Sequence, residues 1–264
     1  DIQLKRNIMF QQACKRQGFG IEELDQFLSK FIDVNLLVIG DTIVDKYVAC
    51  DALGMSAEAP VIVARELESI DYIGGASIVA LHVKSLGTGC QYISVVGKDQ
   101  NAIKVAEELD RYAVNHVLIE DTSRPTTEKI RYMVEKQKMF RVSRMKEHSI
   151  SRKLEEKLIV EIRRKTSEIQ GILISDFVYG VITPRVLKVI KQQVAKYNLL
   201  VFGDLQCSSQ VGNVAKFKNF NLLCPTEREA RIALDSQGKG LEQLANDLMK
   251  YTRTKNLIMK LGAE

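Results

Sequence analysis

Four carboxylates stand just after short apolar runs, which is where a polar small molecule would be handled. Asp41 and Asp45 follow Asn35-Leu-Leu-Val-Ile-Gly40, Asp176 follows Gly171-Ile-Leu-Ile-Ser175, and Asp204 follows Leu199-Leu-Val-Phe-Gly203. A carboxylate just past a buried parallel strand lies on the carboxyl edge of the sheet, where open α/β sheets bind ligands. Carboxylate oxygens are also good acceptors for sugar hydroxyls. A turn or helix-cap role accounts equally for Asp41 or Asp45 taken singly.

Gly74-Gly75-Ala76-Ser77 opens a helical stretch. Paired glycines let a backbone approach a ligand, and the free N–H groups of a helix start suit an anion; a plain turn is the other account. Three cations, Lys129, Arg141 and Arg144, fall in one segment of alternating polarity and could reach a phosphorylated sugar. Paired N–H donors on arginine match phosphate geometry, although exposed strands carry arginines for solubility alone. His82, His116 and His148 lack metal-ligand spacing and read as structural or solvated. Cys207, in Leu205-Gln-Cys-Ser-Ser-Gln210, has no histidine pattern beside it and reads as a buried thiol.

The elements that must position these groups follow from periodicity. Short apolar runs at 35–39, 91–96, 171–175, 199–203, 221–224 and 256–260 predict strands. Helical spacing at about 76–86, 99–111, 151–166, 184–197 and 240–252 predicts the helices between them. Strand–helix alternation implies a largely parallel sheet covered on both faces. Segments 46–73 and 126–145 break that rhythm, as in Thr127-Glu-Lys-Ile-Arg-Tyr-Met-Val134, and predict antiparallel strands projecting from the main sheet. Residues 1–33 carry two short helical stretches, at 3–16 and 21–32, and precede the main domain.

Composition sets the outer bounds. The 264 residues are 45% hydrophobic, enough for one sizeable α/β domain. A net charge of +5, from 38 basic and 33 acidic residues, is too small and dispersed to imply nucleic acid, though it suits anionic substrates. Five cysteines without a C-x-x-C pair argue against a disulfide scaffold or zinc site and fit a reducing cytoplasm. No run approaches the ~20 apolar residues of a membrane helix.

Taken in order, these motifs resemble the ribokinase-like (PfkB) carbohydrate kinases, across residues 34–264. In that family a substrate-binding aspartate follows the glycine of the first strand by four or five residues, as Asp45 follows Gly40, and a Gly-Gly pair opens the next helix. Ser56-Ala-Glu-Ala-Pro-Val61 and Ser175-Asp-Phe-Val-Tyr-Gly180 are most similar to the heptose-phosphate kinases within it. The resemblance implies a three-layer α/β/α sandwich with a mainly parallel sheet and a small β lid formed by 46–73 and 126–145, the last part of the fold being missing from the chain. It implies transfer from ATP, with Mg²⁺, to a hydroxyl of a sugar or sugar phosphate, a heptose phosphate of lipopolysaccharide precursor synthesis among the candidates. Asp41, Asp45, Gly74, Gly75, Lys129 and Arg141 would hold the sugar. Asp176, Asp204, Thr226, Glu229 and Gly262 would face ATP and its phosphates, with Glu229 acting indirectly on the metal. The partners implied are the sugar, ATP and a second copy joined through the lid.

Two positions depart from the family. Ile78 stands where it has a sugar-binding asparagine, and Cys224-Pro-Thr-Glu-Arg-Glu229 carries Thr226 at the first position of its Asn-x-x-Glu motif. The family's catalytic base would come after Glu264. The alternative expectation is a kinase-like binding or regulatory domain without catalysis.

Overall fold

The computed structural model describes residues 2–207 and 212–262, with side chains from residue 3 onward. Two helices, α1 (Ile2–Gln17) and α2 (Ile21–Ser29), precede the first strand. The main sheet comprises β1 (Asn35–Gly40), β4 (Gly89–Val96), β5 (Asn115–Glu120), β8 (Gly171–Asp176), β9 (Leu200–Leu205), β10 (Leu222–Leu223) and β11 (Asn256–Leu257), in the order β11-β10-β9-β8-β1-β4-β5. Every pairing in it is parallel.

Along β1 the side chains alternate between two cores, the period-2 rule of strands. Leu37 and Ile39 enter one cluster with residues of α5 (Arg152–Lys165), α6 (Pro184–Tyr197), α7 (Glu227–Leu234) and α8 (Leu241–Thr252). Val38 enters another with residues of α3 (Ala76–Ser85) and α4 (Gln100–Arg111). The result is the expected three-layer α/β/α arrangement. β5 and α7 were not anticipated: β5 is six residues whose ends are polar, and α7 is two turns long.

A second sheet of four strands carries β2 (Thr42–Met55), β3 (Ile62–Gly75), β6 (Thr127–Val134) and β7 (Gln137–Arg144), in the order β3-β2-β6-β7. Both hairpins are antiparallel, as periodicity predicts, but their shared seam, β2 with β6, is parallel. Each of these strands leaves the body of the molecule outward and in the same direction, so their edges meet parallel. β1 runs into β2 with only Asp41 between them, and β3 runs directly into α3. The corner Asp41–Thr42 and the turn Gly74–Gly75 are therefore brought side by side. Among the described residues no helix is long and apolar enough to cross a membrane.

Candidate functional site

A cleft of about 380 Å³ lies where the small sheet leaves the main one. Its lining includes Asp45, Gly74, Gly75, Lys129, Arg131 and Arg141. Register explains the convergence. Asp45 pairs with Lys129 across the parallel seam, and Arg131 pairs with Arg141 in the second hairpin, so period 2 puts all four side chains on one face. Arg131 Nη1 donates to Asp45 Oδ1, and its guanidinium lies 5.1 Å from the centre of the Tyr47 ring. Lys129 is buried, 5.1 Å from the Phe177 ring centre and 5.4 Å from that of Tyr179.

The glycine pair makes room for this arrangement. A Cβ on Gly74 would come closer than 3.0 Å to Asp45 Oδ2. Gly75 has φ +62, and a Cβ there would press on the Asp41 carbonyl oxygen. Any larger residue at 74 would displace the carboxylate; any larger residue at 75 would also be strained in its backbone.

Asp41 does not line the cleft. It is 2% exposed, and its carboxylate turns inward. Oδ2 accepts the N–H of Phe177 (2.7 Å) and of Tyr179 (3.3 Å), and Oδ1 accepts that of Val181 (3.3 Å). Its expected contact with a sugar is corrected accordingly: the first residue after β1 is enclosed by the β8 loop, and only residues further along β2 clear it. Burial, and then the neighbouring charge of Asp176, push the Asp41 carboxyl up to about 7, against three backbone donors that lower it.

Toward the other end of the sheet edge lies a second cleft, of about 530 Å³, lined by Thr226, Arg228, Lys260 and Gly262 among others. Asp204 stands between the two clefts: Oδ1 accepts from Lys260 Nζ at 2.6 Å, and Oδ2 from Gln206 Nε2, a residue of the first cleft, at 3.4 Å. Asp176 is buried, paired with Lys216 and accepting the Val178 N–H at 2.8 Å. Thr226 and Glu229 form a reciprocal cap at the start of α7. The Thr226 hydroxyl accepts the Glu229 N–H at 3.2 Å, and Glu229 Oε2 accepts the Thr226 N–H at 2.8 Å. Glu229 Oε1 also accepts the Cys207 N–H at 2.9 Å, tying α7 to the end of β9. Threonine thus serves as cap where the family has asparagine, both being good N-cap residues.

The expected site residues are therefore only partly assembled. Asp45, Gly74, Gly75, Lys129 and Arg141 converge in the first cleft, and Thr226 and Gly262 in the second. Arg144 turns to Glu128 instead, at 3.0 Å, on the opposite face of the small sheet. Arg131 was not singled out from sequence, although it lies two residues from Lys129 and so shares its face. Ser208, Ser209, Gln210, Ala263 and Glu264 lie outside the described residues. Mg²⁺ bound with ATP needs only one or two protein carboxylates, because phosphate and water supply the rest. Asp204, bonded to Lys260 and Gln206 between the clefts, is the carboxylate placed for that role, whereas Asp176 is buried, is paired with Lys216 and lines neither cleft, so its expected contact with ATP is corrected.

Comparison with known proteins adds to this geometry. The family described as "pfkB family carbohydrate kinase" matches residues 34–264. The Bifunctional protein HldE of Campylobacter jejuni subsp. doylei is 32% identical over 225 residues, 82% of this chain and 46% of that protein. The protein of the same name from Bradyrhizobium diazoefficiens is 32% identical over 235 residues, 86% of this chain and 46% of that one. The chain thus spans about half the length of these relatives. Among solved structures, the tetrameric inhibited form of phosphofructokinase-2 from Escherichia coli superposes with TM-score 0.66 at 14% identity, covering 87% of this chain and 74% of that one. Ribokinase from Giardia lamblia gives the same four values. At that identity the likeness concerns the fold.

Proposed function

The chain belongs to the pfkB family of carbohydrate kinases, and on that premise we propose that it serves the transfer of the γ-phosphoryl group of ATP to a hydroxyl of a phosphorylated sugar. The observation that carries the proposal is Asp45, held open by Gly74 in a cleft with three cations, Lys129, Arg131 and Arg141. A carboxylate orients hydroxyls. Cations at its rim attract a phosphate, so the cleft suits a ligand with both groups.

Phosphoryl transfer is mostly positioning and charge stabilisation. Asp45 fixes the sugar's hydroxyls, and the small sheet shields them as a lid. The second cleft, with Arg228 and Lys260, receives the nucleotide phosphates. Asp204, bonded to a residue of each cleft, keeps the two in register, while Glu229 holds the start of α7 against β9 and so acts on metal and phosphate through the backbone. ATP with Mg²⁺ would supply the phosphoryl group and neutralise its charge. Among phosphorylated sugars, the likeness of residues 56–61 and 175–180 to heptose-phosphate kinases favours a heptose phosphate.

A second copy of the chain is the partner we infer for the lid. Tyr47, Ile70 and Tyr72 form a half-exposed apolar patch beyond Asp45, and the outer strands β3 and β7 have free edges. One observation supports a second reading, a binding domain without catalysis: Ile78, where the family has asparagine, lines the sugar cleft.

Calorimetric titration with heptose 7-phosphate and fructose 6-phosphate tests the proposal. Wild type should bind one of them and Asp45→Asn should bind it at least tenfold more weakly, with the melting temperature held as the control for folding. Equal affinity in both proteins would remove Asp45 from the sugar site. In the full-length natural protein, binding without phosphoryl transfer in the presence of ATP and Mg²⁺ would favour the second reading.

A further inference from the structure

Segment 177–181 has an unusual backbone. Val178 has φ +66 and Gly180 has φ +97, both in the left-handed region, which is costly for a β-branched residue. Something must hold it there. Four of its N–H groups are received by two buried carboxylates, those of Phe177, Tyr179 and Val181 by Asp41 and that of Val178 by Asp176. From the opposite side, Arg124 Nη1 donates to the Tyr179 carbonyl at 2.7 Å, and the Ile150 N–H donates to that of Gly180 at 3.1 Å.

What the segment holds in turn is the cation of the sugar cleft. Phe177 and Tyr179 stack on each other, with ring centres 6.3 Å apart, and both face the Lys129 ammonium. Asp41 also ties the rest of the cleft floor: its backbone N–H donates to the Ser175 carbonyl at 3.2 Å, and its carbonyl accepts the Ala76 N–H at 2.9 Å, next to the glycine pair. One residue thus connects β8, the start of α3 and segment 177–181.

We propose that Asp41 is a positioning residue: its carboxylate latches segment 177–181, and through the Phe177 and Tyr179 rings it sets Lys129 for the phosphate of the sugar. The sugar half of this statement rests on the function proposed above; the latch does not. The latch is strongest with Asp41 ionised, because charge-assisted hydrogen bonds outweigh neutral ones and a protonated carboxyl loses acceptor capacity. The charged and titratable groups that face it are Asp176 with its partner Lys216, the Tyr92 hydroxyl on β4, and Lys129 with Arg124 on the far side of the segment. Burial beside Asp176 brings the Asp41 titration to about 7, while the three backbone donors pull it down; within the folded chain, where Asp41 stays buried, protonation therefore favours the segment released from those donors, and the latch loosens as pH falls through neutrality even though burial alone favours the protonated group.

The test reads Lys129 first and the ligand second. In the ligand-free protein with isotope-labelled lysine, the ε-methylene resonance of Lys129 should be displaced by the two rings. That displacement should shrink as pH falls from 8 to 6, and it should be small at both pH values in Asp41→Asn. The affinity of wild type for heptose 7-phosphate or fructose 6-phosphate should fall about tenfold over the same pH range, and the variant should show the weak value throughout. A Lys129 resonance that ignores both pH and the substitution overturns the latch. A resonance that moves while a folded Asp41→Asn keeps wild-type affinity overturns the positioning role. A resonance that moves in a wild type that binds neither sugar phosphate supports the latch and sinks the sugar-kinase reading instead. If Asp41→Asn does not fold, the pH titration of the wild type and Phe177→Leu, which removes one ring, decide in the same way.

Discussion

Asp45 on β2 and Gly74 on β3 lie so close that a Cβ on the glycine would overlap the carboxylate oxygen Oδ2. The first residue that touches the proposed sugar thus depends on the absence of a side chain at the second. Gly74→Ala should shift or rotate the Asp45 carboxylate while keeping the hairpin, because residue 74 has an ordinary backbone conformation. We expect at least a tenfold loss of sugar-phosphate affinity, corresponding to a charged hydrogen bond of ~1.5–3 kcal/mol. Calorimetry measures the affinity, and circular dichroism the fold. Unchanged affinity would show that the carboxylate has another place to go.

Arg131 is a different case, because it pairs with Asp45 and is also one of the three cations. Arg131→Lys keeps the charge but loses the planar fork that lies beside Tyr47. Sugar-phosphate binding should weaken severalfold and become more sensitive to salt. Titrations at low and high ionic strength check this; identical salt dependence in both proteins would place the phosphate elsewhere.

At α7 the cap gives a stability prediction that does not involve the ligand. Thr226→Ala removes the hydroxyl that accepts the Glu229 N–H and should cost about 0.5–2 kcal/mol, while Thr226→Asn, another good cap, should cost little. Urea unfolding of both variants tests this. Equal losses would mean that asparagine does not fit this corner.

Asp41 gives the protein a pH dependence with a definite sign. Its carboxyl is raised in the folded state, to about 7 from an ordinary value near 4, so the folded protein holds its proton more firmly than the unfolded chain. The stabilisation from this group is therefore complete below the unfolded value and lost as pH rises through about 7. Melting temperature should show that decline in wild type, and Asp41→Asn should flatten it. A wild-type curve with no such component would mean that Asp41 is already ionised well below neutrality.

Ile70→Asp tests the lid contact. The residue is half exposed in the apolar patch and is not in the sugar cleft. A dimer joined there should dissociate to monomers, as followed by light scattering over a concentration series. An oligomer that persists unchanged would put the interface elsewhere.

Sequence alone determined most of the scaffold. Six of the seven strands of the main sheet are apolar runs bounded by polar or glycine residues, and the helices between them repeat every three or four residues, so local periodicity suffices. Asp45 and the glycine pair were legible for the same reason: each lies a short, countable distance from an element end. The Thr226–Glu229 cap could also be read locally, because its partners are three residues apart. What tertiary structure decided are relationships across long separations. Arg131 reaches Asp45, 86 positions away, only because two hairpins join along a parallel seam. Asp41 and Asp45 are both acidic and four residues apart, but one is enclosed by segment 177–181 and the other clears it. No local pattern separates them, since burial depends on which backbone packs over each carboxylate.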